Sequence, residues 1–205
     1  MQTETLKAFA KYRIVLTRVF AGVCLFFIIF SHYSWKPANA INYVFDLAGL
    51  LFVCLGVLGR LWASAYISGN KTNTIITEGP YSIVRHPLYF FSFLGAVGIG
   101  LASQNLLVLG LIILLFIFYY PFVILYEERR LLAQHGLEYK KYMGTVPRFL
   151  PKFNQLHEPA IFPAHMIKYR KAFLDVFWFI VIYIILQLIE ILHTRGVLPI
   201  LFRFP

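Results

Sequence analysis

The sequence predicts an all-α polytopic membrane protein with about five transmembrane helices. Of its 205 residues, 60% are hydrophobic, and its mean hydropathy is +0.71, whereas about half of the residues in a soluble domain are apolar. Several apolar runs approach or exceed the roughly 20 residues that a helix needs to cross a bilayer. At this length we expect one membrane domain over residues 1–205, not several domains.

The predicted spans follow one another along the chain as residues 14–31, 41–66, 88–101, 106–126 and 172–193. The first run lacks a small-x-small cleavage site, so we interpret it as a span and not as a signal peptide. The third and fourth spans are separated only by Ala-Ser-Gln-Asn, which predicts a tight helical hairpin. A polar loop, residues 67–87, precedes this hairpin, and a long polar segment, residues 127–171, follows it.

The basic residues predict the orientation of these spans. Lys and Arg concentrate before the first span, in the 67–87 loop and in the 127–171 segment. With an odd number of spans these regions share one face, which the positive-inside rule places in the cytoplasm, and the carboxyl terminus lies on the opposite side. We therefore expect a multi-pass protein of a bacterial inner membrane or an equivalent membrane.

The remaining composition excludes several classes of protein. The net charge is +10, but no aromatic-basic interleaving or nucleic-acid motif accompanies the basic residues, so nucleic-acid binding is not expected. Cys24 and Cys54 both lie inside apolar runs. They supply neither a disulfide framework nor a metal-ligand spacing, so we expect no metal site.

A dense polar motif, Gly-Pro-Tyr-Ser-Ile-Val-Arg-His-Pro-Leu-Tyr, lies between the second and third spans at residues 79–89. Gly79 and Pro80 end any preceding helix and turn the chain. Pro87 suits the first turn of the third span, and a helix start favours a carboxylate or phosphate. Arg85 and His86 directly precede it. The alternative interpretation is an interfacial turn whose polar side chains anchor at the lipid headgroups.

A second polar motif begins at the end of the fourth span with Glu127 and Glu128. The helix dipole opposes two acids at a helix carboxyl end, and acids beside a membrane indicate function by default. A cationic ligand would offset the cost of at least one carboxylate. The alternative is a solvated helix end whose acids pair with Arg129, Arg130 or Arg85.

The residues that follow predict a break and then a new helical turn. Gly136 can end or interrupt the helix, and Tyr139 and Tyr142 then share one face at i,i+3. Pro147 and Pro151 force an extended path. Together the two motifs supply a basic helix start for a carboxylate, acids for an ammonium and tyrosines for an aromatic wall. This set suits S-adenosylmethionine, and without a Gly-x-Gly-x-x-Gly after a strand no Rossmann methyltransferase is indicated.

These motifs resemble those of the isoprenylcysteine carboxyl methyltransferase family in its broad bacterial and archaeal sense, and the related phospholipid methyltransferases share the layout. The shared patterns are Gly-Pro-Tyr, Arg-His-Pro-x-Tyr, Glu-Glu-x-x-Leu, Gly-x-x-Tyr-x-x-Tyr and Pro-Arg-x-x-Pro. They stand here at residues 79–81, 85–89, 127–131, 136–142 and 147–151. The resemblance covers about residues 55–151. It departs at His135, where the family often has phenylalanine, and in the additional span after Pro151.

The resemblance implies S-adenosylmethionine bound at the cytoplasmic mouth and a lipid that enters sideways between helices. The cofactor-binding residues would be Gly79, Pro80, Tyr81, His86, Pro87, Tyr89, Glu127, Glu128, Leu131, Tyr139 and Tyr142. Arg148 would face the polar head of the substrate. Arg148 and Arg85 would be the catalytic residues, because either could orient an anionic acceptor.

We therefore expect an integral-membrane methyltransferase that uses S-adenosylmethionine and acts on a lipid or other amphiphilic substrate. An anionic oxygen needs no general base, whereas an amine would need Glu138 or a tyrosine to remove its proton. The absence of an evident base favours a carboxylate or phosphate. A phospholipid amine N-methyltransferase, a nicotinamide-dependent reductase that shares the core, and a non-enzymatic membrane factor stay open. Arg60, late in the second span, either snorkels to the interface or lines the substrate portal.

Overall fold

The computed structural model of the protein describes residues 3–33, 40–70, 74–199 and 201–204. Within these ranges the chain forms seven α-helices: α1 Thr3–Phe30, α2 Ala40–Asn70, α3 Pro80–Ile83, α4 Pro87–Ala102, α5 Leu106–Phe118, α6 Tyr120–Thr145 and α7 Met166–Thr194. A short 3₁₀ turn covers Phe153–Gln155. Two three-residue strands, β1 Ser31–Tyr33 and β2 Phe202–Phe204, pair in parallel with Ser31 opposite Phe202.

The helices confirm the predicted class, a polytopic helical membrane protein. Three helical stretches are long and apolar enough to cross a membrane: Ala40–Ser68, Leu106–Thr145 and Met166–Thr194. Two shorter apolar helical stretches, Val15–Phe30 and Pro87–Ala102, lie where the first and third spans are predicted. The orientation expected from the basic residues stays a prediction.

The fourth predicted span differs in detail from the continuous helix expected over residues 106–126. It is divided at Tyr119 into α5 and α6. Pro121, in the first turn of α6, has no backbone N–H to continue the hydrogen-bond ladder across this point. The 67–87 loop also differs, because α2 continues to Asn70 and α3 forms within the loop.

The stretch Leu106–Thr145 is longer than any bilayer requires. Its 40 residues would extend about 60 Å as a helix, twice the roughly 30 Å of the hydrocarbon core. The apolar composition ends at Tyr126, where Glu-Glu-Arg-Arg follows, so we place residues 127–145 beyond the membrane-spanning part. Gly136, with φ 54° and ψ −122°, interrupts the helix there, as the sequence predicted.

The chain divides into two compact units. The first contains Met1–Val53, Ala96–Tyr126 and Phe179–Pro205, and the second contains Cys54–Gly95 and Glu127–Trp178. In the first unit Asn105 caps α5, because its side-chain oxygen accepts hydrogen bonds from the backbone of Leu107 and Val108 at 3.0 and 3.2 Å. This cap closes the predicted tight hairpin between α4 and α5.

The second unit contains both polar motifs that the sequence singled out. Glycines let α2 and α4 approach closely within it, since a Cβ on Gly56 would lie 2.6 Å from the backbone of Gly95. Two buried clusters that contain tyrosines lie in this unit: Ala63, Tyr66 and Tyr81, and Tyr139, Tyr142 and Val146. The candidate site therefore lies within one compact unit.

Candidate functional site

Backbone hydrogen bonds hold the two motifs together. We call residues 146–162 the strap. The N–H of Gly79 donates to the carbonyl of His157 at 2.9 Å, and the N–H of Arg85 donates to that of Pro147 at 2.8 Å. Between them, the N–H of Lys152 donates to the carbonyl of Ile83 at 2.9 Å. The strap therefore runs along residues 79–85.

Gly79 and the two prolines shape the first motif. Gly79 has φ 57° and ψ −130°, a conformation that residues with a Cβ rarely adopt. A Cβ at this position would also collide with the ring of Tyr66. Pro80 begins α3 and Pro87 begins α4, where a missing N–H carries no cost. The turn at Gly79 and the helix start at Pro87 were both predicted, whereas the single turn of α3 was not.

Four side chains of the second unit form an ion cluster: Arg85, His86, Glu128 and Arg148. Glu128 is 2% exposed. Arg148 donates to both of its oxygens, from Nε to Oε1 at 3.1 Å and from Nη2 to Oε2 at 2.6 Å. Arg85 Nη1 lies 2.9 Å from Oε1, and His86 Nε2 lies 3.3 Å from the same oxygen. The cluster joins the α3–α4 junction, α6 and the strap.

The electrostatics of the cluster keep Glu128 ionised. Burial raises the pKa of its carboxyl, but hydrogen bonds from His86 and Arg148 and the charge of Arg85 outweigh burial and hold the pKa at about 2. The carboxylate in turn offsets the charge of Arg85, whose side chain is 9% exposed. Arg148 differs from Arg85 in its exposure, because 51% of the Arg148 side chain is exposed.

Glu127 lies in a different environment from its neighbour. Its side chain is 38% exposed, and its Oε2 lies 4.0 Å from His86 Nδ1. The two adjacent carboxylates, which the sequence treated as a pair, are thus unequal. Glu128 is engaged on both oxygens, whereas the carboxylate of Glu127 is partly open to solvent.

The predicted tyrosines contact one another and, through Tyr89, the ion cluster. Tyr142 Oη donates to the backbone carbonyl of Tyr81 at 2.7 Å, and the rings of Tyr139 and Tyr142 lie 5.8 Å apart. The predicted shared face of these two tyrosines is confirmed, with Leu131 packed against it. The ring of Tyr89 lies 5.9 Å from that of His86.

Tyr81 is the buried tyrosine whose hydroxyl is least satisfied. Its side chain is buried, and its Oη has no hydrogen-bond partner among the residues that the structure describes. Burial, followed by the charge of Glu127, raises the pKa of Tyr81 well above its ordinary value. A neutral phenol that can donate a hydrogen bond is therefore held inside the unit without an acceptor among the described residues. Buried polar groups are normally paired, so this hydroxyl is a candidate donor to a bound molecule.

The sequence did not indicate a group of residues that ties the strap to α2. Trp62 Nε1 and Tyr66 Oη donate to Glu158 Oε1 at 2.9 and 3.4 Å, and the ring of Phe162 lies 4.5 Å from that of Tyr66. Trp62 and Tyr66 share a helix face at i,i+4, which was the available signal. Glu158 lies more than ninety residues after Trp62 and Tyr66 in the chain, so local sequence patterns do not predict this contact.

The fold and the site define a class: helical membrane proteins with a charged site assembled from the segments on either side of a helical hairpin. The family described as phospholipid methyltransferase matches residues 44–137. The chain belongs to this family, which includes the isoprenylcysteine methyltransferases. The predicted resemblance is thereby confirmed, and the family supports an integral-membrane methyltransferase.

Two relatives match nearly the whole chain. The cobalt-zinc-cadmium resistance protein of Cupriavidus metallidurans is 34% identical over 188 residues, which are 92% of this chain and 86% of the relative. The nickel-cobalt-cadmium resistance protein of Alcaligenes xylosoxydans xylosoxydans is 31% identical over 189 residues, 92% of this chain and 88% of the relative.

A third relative is an enzyme by name. The protein-S-isoprenylcysteine O-methyltransferase of Schizosaccharomyces pombe is 29% identical over 130 residues, 56% of this chain and 54% of the relative. No solved structure matches the chain.

Proposed function

We propose that the protein is an S-adenosylmethionine-dependent membrane methyltransferase that methylates an anionic oxygen, a carboxylate or phosphate, of a lipid or other amphiphilic acceptor. The observation that carries this proposal is the unequal use of the two glutamates. Glu128 organises the ion cluster, and this leaves Glu127 half-buried beside His86. The unpartnered hydroxyl of Tyr81 is a further donor in the same unit.

The residues present fit the groups of the cofactor. In the cluster two guanidinium groups share one carboxylate, so a net positive charge is available to attract the cofactor carboxylate. Glu127 supplies a second carboxylate for its ammonium. Tyr89 and Tyr139 supply aromatic rings for the adenine. Of the predicted cofactor residues, Gly79, Pro80 and Pro87 would act through the backbone path that they set.

The acceptor would meet the half-exposed face of Arg148. The chemistry that the bound cofactor supplies is one activated methyl group: the acceptor oxygen bonds to its carbon while sulfur keeps the electron pair of the broken bond. A carboxylate or phosphate loses no proton in this transfer. Glu128 holds Arg148 by two hydrogen bonds, so the guanidinium is oriented before the acceptor arrives. Arg85, which is buried against Glu128, would act as a positioning residue for this arrangement.

The family description supports a second candidate, methylation of a phospholipid amine. An amine needs a base, and Glu138, the carboxylate predicted for that role, is exposed to solvent. A carboxylate or phosphate acceptor needs no base, so we favour the anionic oxygen.

The names of the two long relatives suggest a role in metal resistance. Among the described residues, His, Cys, Asp and Glu form no group of three that could hold a metal ion. For a shared role in metal resistance, we propose that this chain would act through methylation of a membrane component.

Binding of S-adenosylhomocysteine tests the proposal directly. We expect micromolar binding to the detergent-purified protein by calorimetry, and at least about tenfold weaker binding to His86→Ala and Glu127→Gln. Asp175→Asn, which removes an exposed carboxylate from α7, is the matched control and should bind like the wild type. Absence of binding by folded wild-type protein would refute the proposal, and nicotinamide cofactors would be tested next. A methyl-transfer screen with alkyl carboxylates, alkyl phosphates and phosphatidylethanolamine then separates the two acceptor classes.

A further inference from the structure

The strap, residues 146–162, contacts the start of one apolar helix near its own beginning. The ring centroid of Phe149 lies 5.8 Å from that of Phe90 and 6.0 Å from that of Phe93. Both partners lie in the first two turns of the apolar helix Pro87–Ala102. The first part of the strap therefore lies where this helix begins.

The other end of the strap contacts the end of a second apolar helix. Glu158 Oε1 accepts hydrogen bonds from Trp62 Nε1 and Tyr66 Oη at 2.9 and 3.4 Å. Trp62 and Tyr66 lie in the last two turns of the candidate span Ala40–Ser68. The end of α2 and the start of α4 lie on the same side of the membrane, because a single loop joins them. The strap therefore lies at the level where two apolar helices leave the membrane.

Between these two contacts the strap exposes large apolar side chains. Leu150 is 74% exposed, Phe153 67%, Leu156 45% and Ile161 88%. Single exposed apolar residues are ordinary on a protein surface. Four within twelve residues, in a segment fixed beside the ends of spans, indicate an interaction surface. At this level the surface within reach is the head-group region of the bilayer.

The charges of the same region favour one kind of lipid. From residue 146 to residue 171 the sequence has five Lys and Arg and one acid, Glu158. The carboxylate of Glu158 is bound to α2, whereas Lys152, in the strap, and Lys168, in the first turn of α7, are exposed. Basic residues among exposed apolar side chains bind a bilayer by apolar insertion and by attraction to anionic head groups.

We propose that the strap is a membrane-docking element that inserts its exposed apolar side chains into the head-group region and prefers anionic lipid. Phe153 and Leu156 supply apolar contact, and Lys152 and Lys168 attract the lipid phosphates. The strap also carries Arg148, so docking would hold this guanidinium at the depth where an amphiphilic acceptor presents its head group. This last consequence rests on the proposed function, whereas the docking does not.

A fluorophore on the strap measures insertion without any cofactor or acceptor. Cys24 and Cys54 are replaced by Ala, and the fluorophore nitrobenzoxadiazole is attached to Phe153→Cys or Leu156→Cys. The protein is placed in nanodiscs of equal parts phosphatidylcholine and phosphatidylglycerol, with lipids that carry a nitroxide near the head group as quenchers. Quenching at both positions should exceed by at least about twofold that at Gln134→Cys. This control site is exposed on α6, about 12 Å along the helix beyond Tyr126.

The same label reports which lipid lies beside the strap. At equal mole fraction, nitroxide phosphatidylglycerol should quench at least about twofold more than nitroxide phosphatidylcholine. Replacement of both Lys152 and Lys168 by Gln should remove at least about half of this excess. The matched control replaces Lys140 and Lys141, two exposed lysines of α6, by Gln and should keep it. High salt should weaken the preference while the quenching itself stays.

Three results would overturn the docking proposal. The first is quenching at Phe153→Cys and Leu156→Cys no stronger than at Gln134→Cys. The second is equal quenching by the two nitroxide lipids, and the third is an equal effect of the two lysine pairs. If Phe153→Cys does not fold, as judged by circular dichroism, Leu156→Cys and Ile161→Cys decide. Failure of the wild type to bind S-adenosylhomocysteine, with quenching and lipid preference intact, refutes the proposed function alone.

Discussion

Removal of the Glu128 carboxylate should destabilise the protein more than any other single charge deletion in the ion cluster. Glu128 is 2% exposed, and it compensates Arg85, whose side chain is 9% exposed. After Glu128→Ala the Arg85 guanidinium stays buried without that partner. The side chain of Arg148, which is 51% exposed, can turn to water instead.

The expected magnitude follows from the burial of the pair and from the lowered pKa of Glu128. Breaking a buried ion pair by removing one partner costs about 3–5 kcal/mol. The carboxyl pKa falls from its ordinary 4.5 to about 2, which corresponds to about 3 kcal/mol of stabilisation of the ionised form. We expect Glu128→Ala to lower the free energy of unfolding by about 3–5 kcal/mol, and Arg148→Ala to lower it by about 1–2 kcal/mol.

The assay is unfolding of the purified protein by sodium dodecyl sulfate in mixed micelles, followed by circular dichroism. Glu127→Ala is the matched control, because it removes the adjacent carboxylate from the same helix at a site where the side chain is 38% exposed. It should change the free energy of unfolding by less than about 1 kcal/mol. The double variant Arg85→Met, Glu128→Met should lose less than the sum of its single variants, because an apolar pair leaves no buried charge. Equal losses in Glu127→Ala and Glu128→Ala would refute the reasoning.

Three further predictions concern the same unit. Gly136→Ala should lower the free energy of unfolding by about 1–3 kcal/mol in the same assay, because φ 54° and ψ −122° strain a residue with a Cβ. The control is Gly144→Ala, where a Cβ meets nothing within 4 Å, and it should not destabilise the protein. Equal effects of the two substitutions would count against backbone strain at Gly136. Folding lowers the pKa of Glu128, so its carboxylate contributes stability that is complete above about pH 4.5 and is lost as the pH falls toward 2. If the stability of Glu128→Gln fell equally steeply over this pH range, the result would contradict this prediction. Tyr142→Phe removes the 2.7 Å hydrogen bond to the Tyr81 carbonyl and should cost about 1–2 kcal/mol. No measurable loss in the same assay would contradict this prediction.

Local and periodic features were readable without the structure. Apolar runs predicted the helices, because a span must bury its backbone in hydrocarbon whatever its neighbours are. Gly79, Pro87 and Gly136 predicted a turn, a helix start and a break, because these depend on the conformational limits of single residues. The shared face of Tyr139 and Tyr142 followed from helical spacing, and motifs on both sides of the hairpin predicted the family.

Contacts between distant segments needed the tertiary structure. In the sequence Glu127 and Glu128 look alike. Contacts with Arg85 and Arg148 make Glu128 the ionised centre of the cluster. The side chain of Glu127 stays 38% exposed. The strap binds residues 79–85 through backbone groups, which every residue carries. No side-chain pattern in the sequence therefore predicts this contact.

Arg60 shows the same division. Its place in a span was visible in the sequence, but its hydrogen bond to Ser92 depends on how closely α2 and α4 pack at glycines. The sequence by itself therefore determined the membrane class, the helix breaks and the two motifs, because these follow from the properties of neighbouring residues. Only the tertiary structure decided which charges meet, because burial and pairing are properties of contacts between residues far apart in the chain.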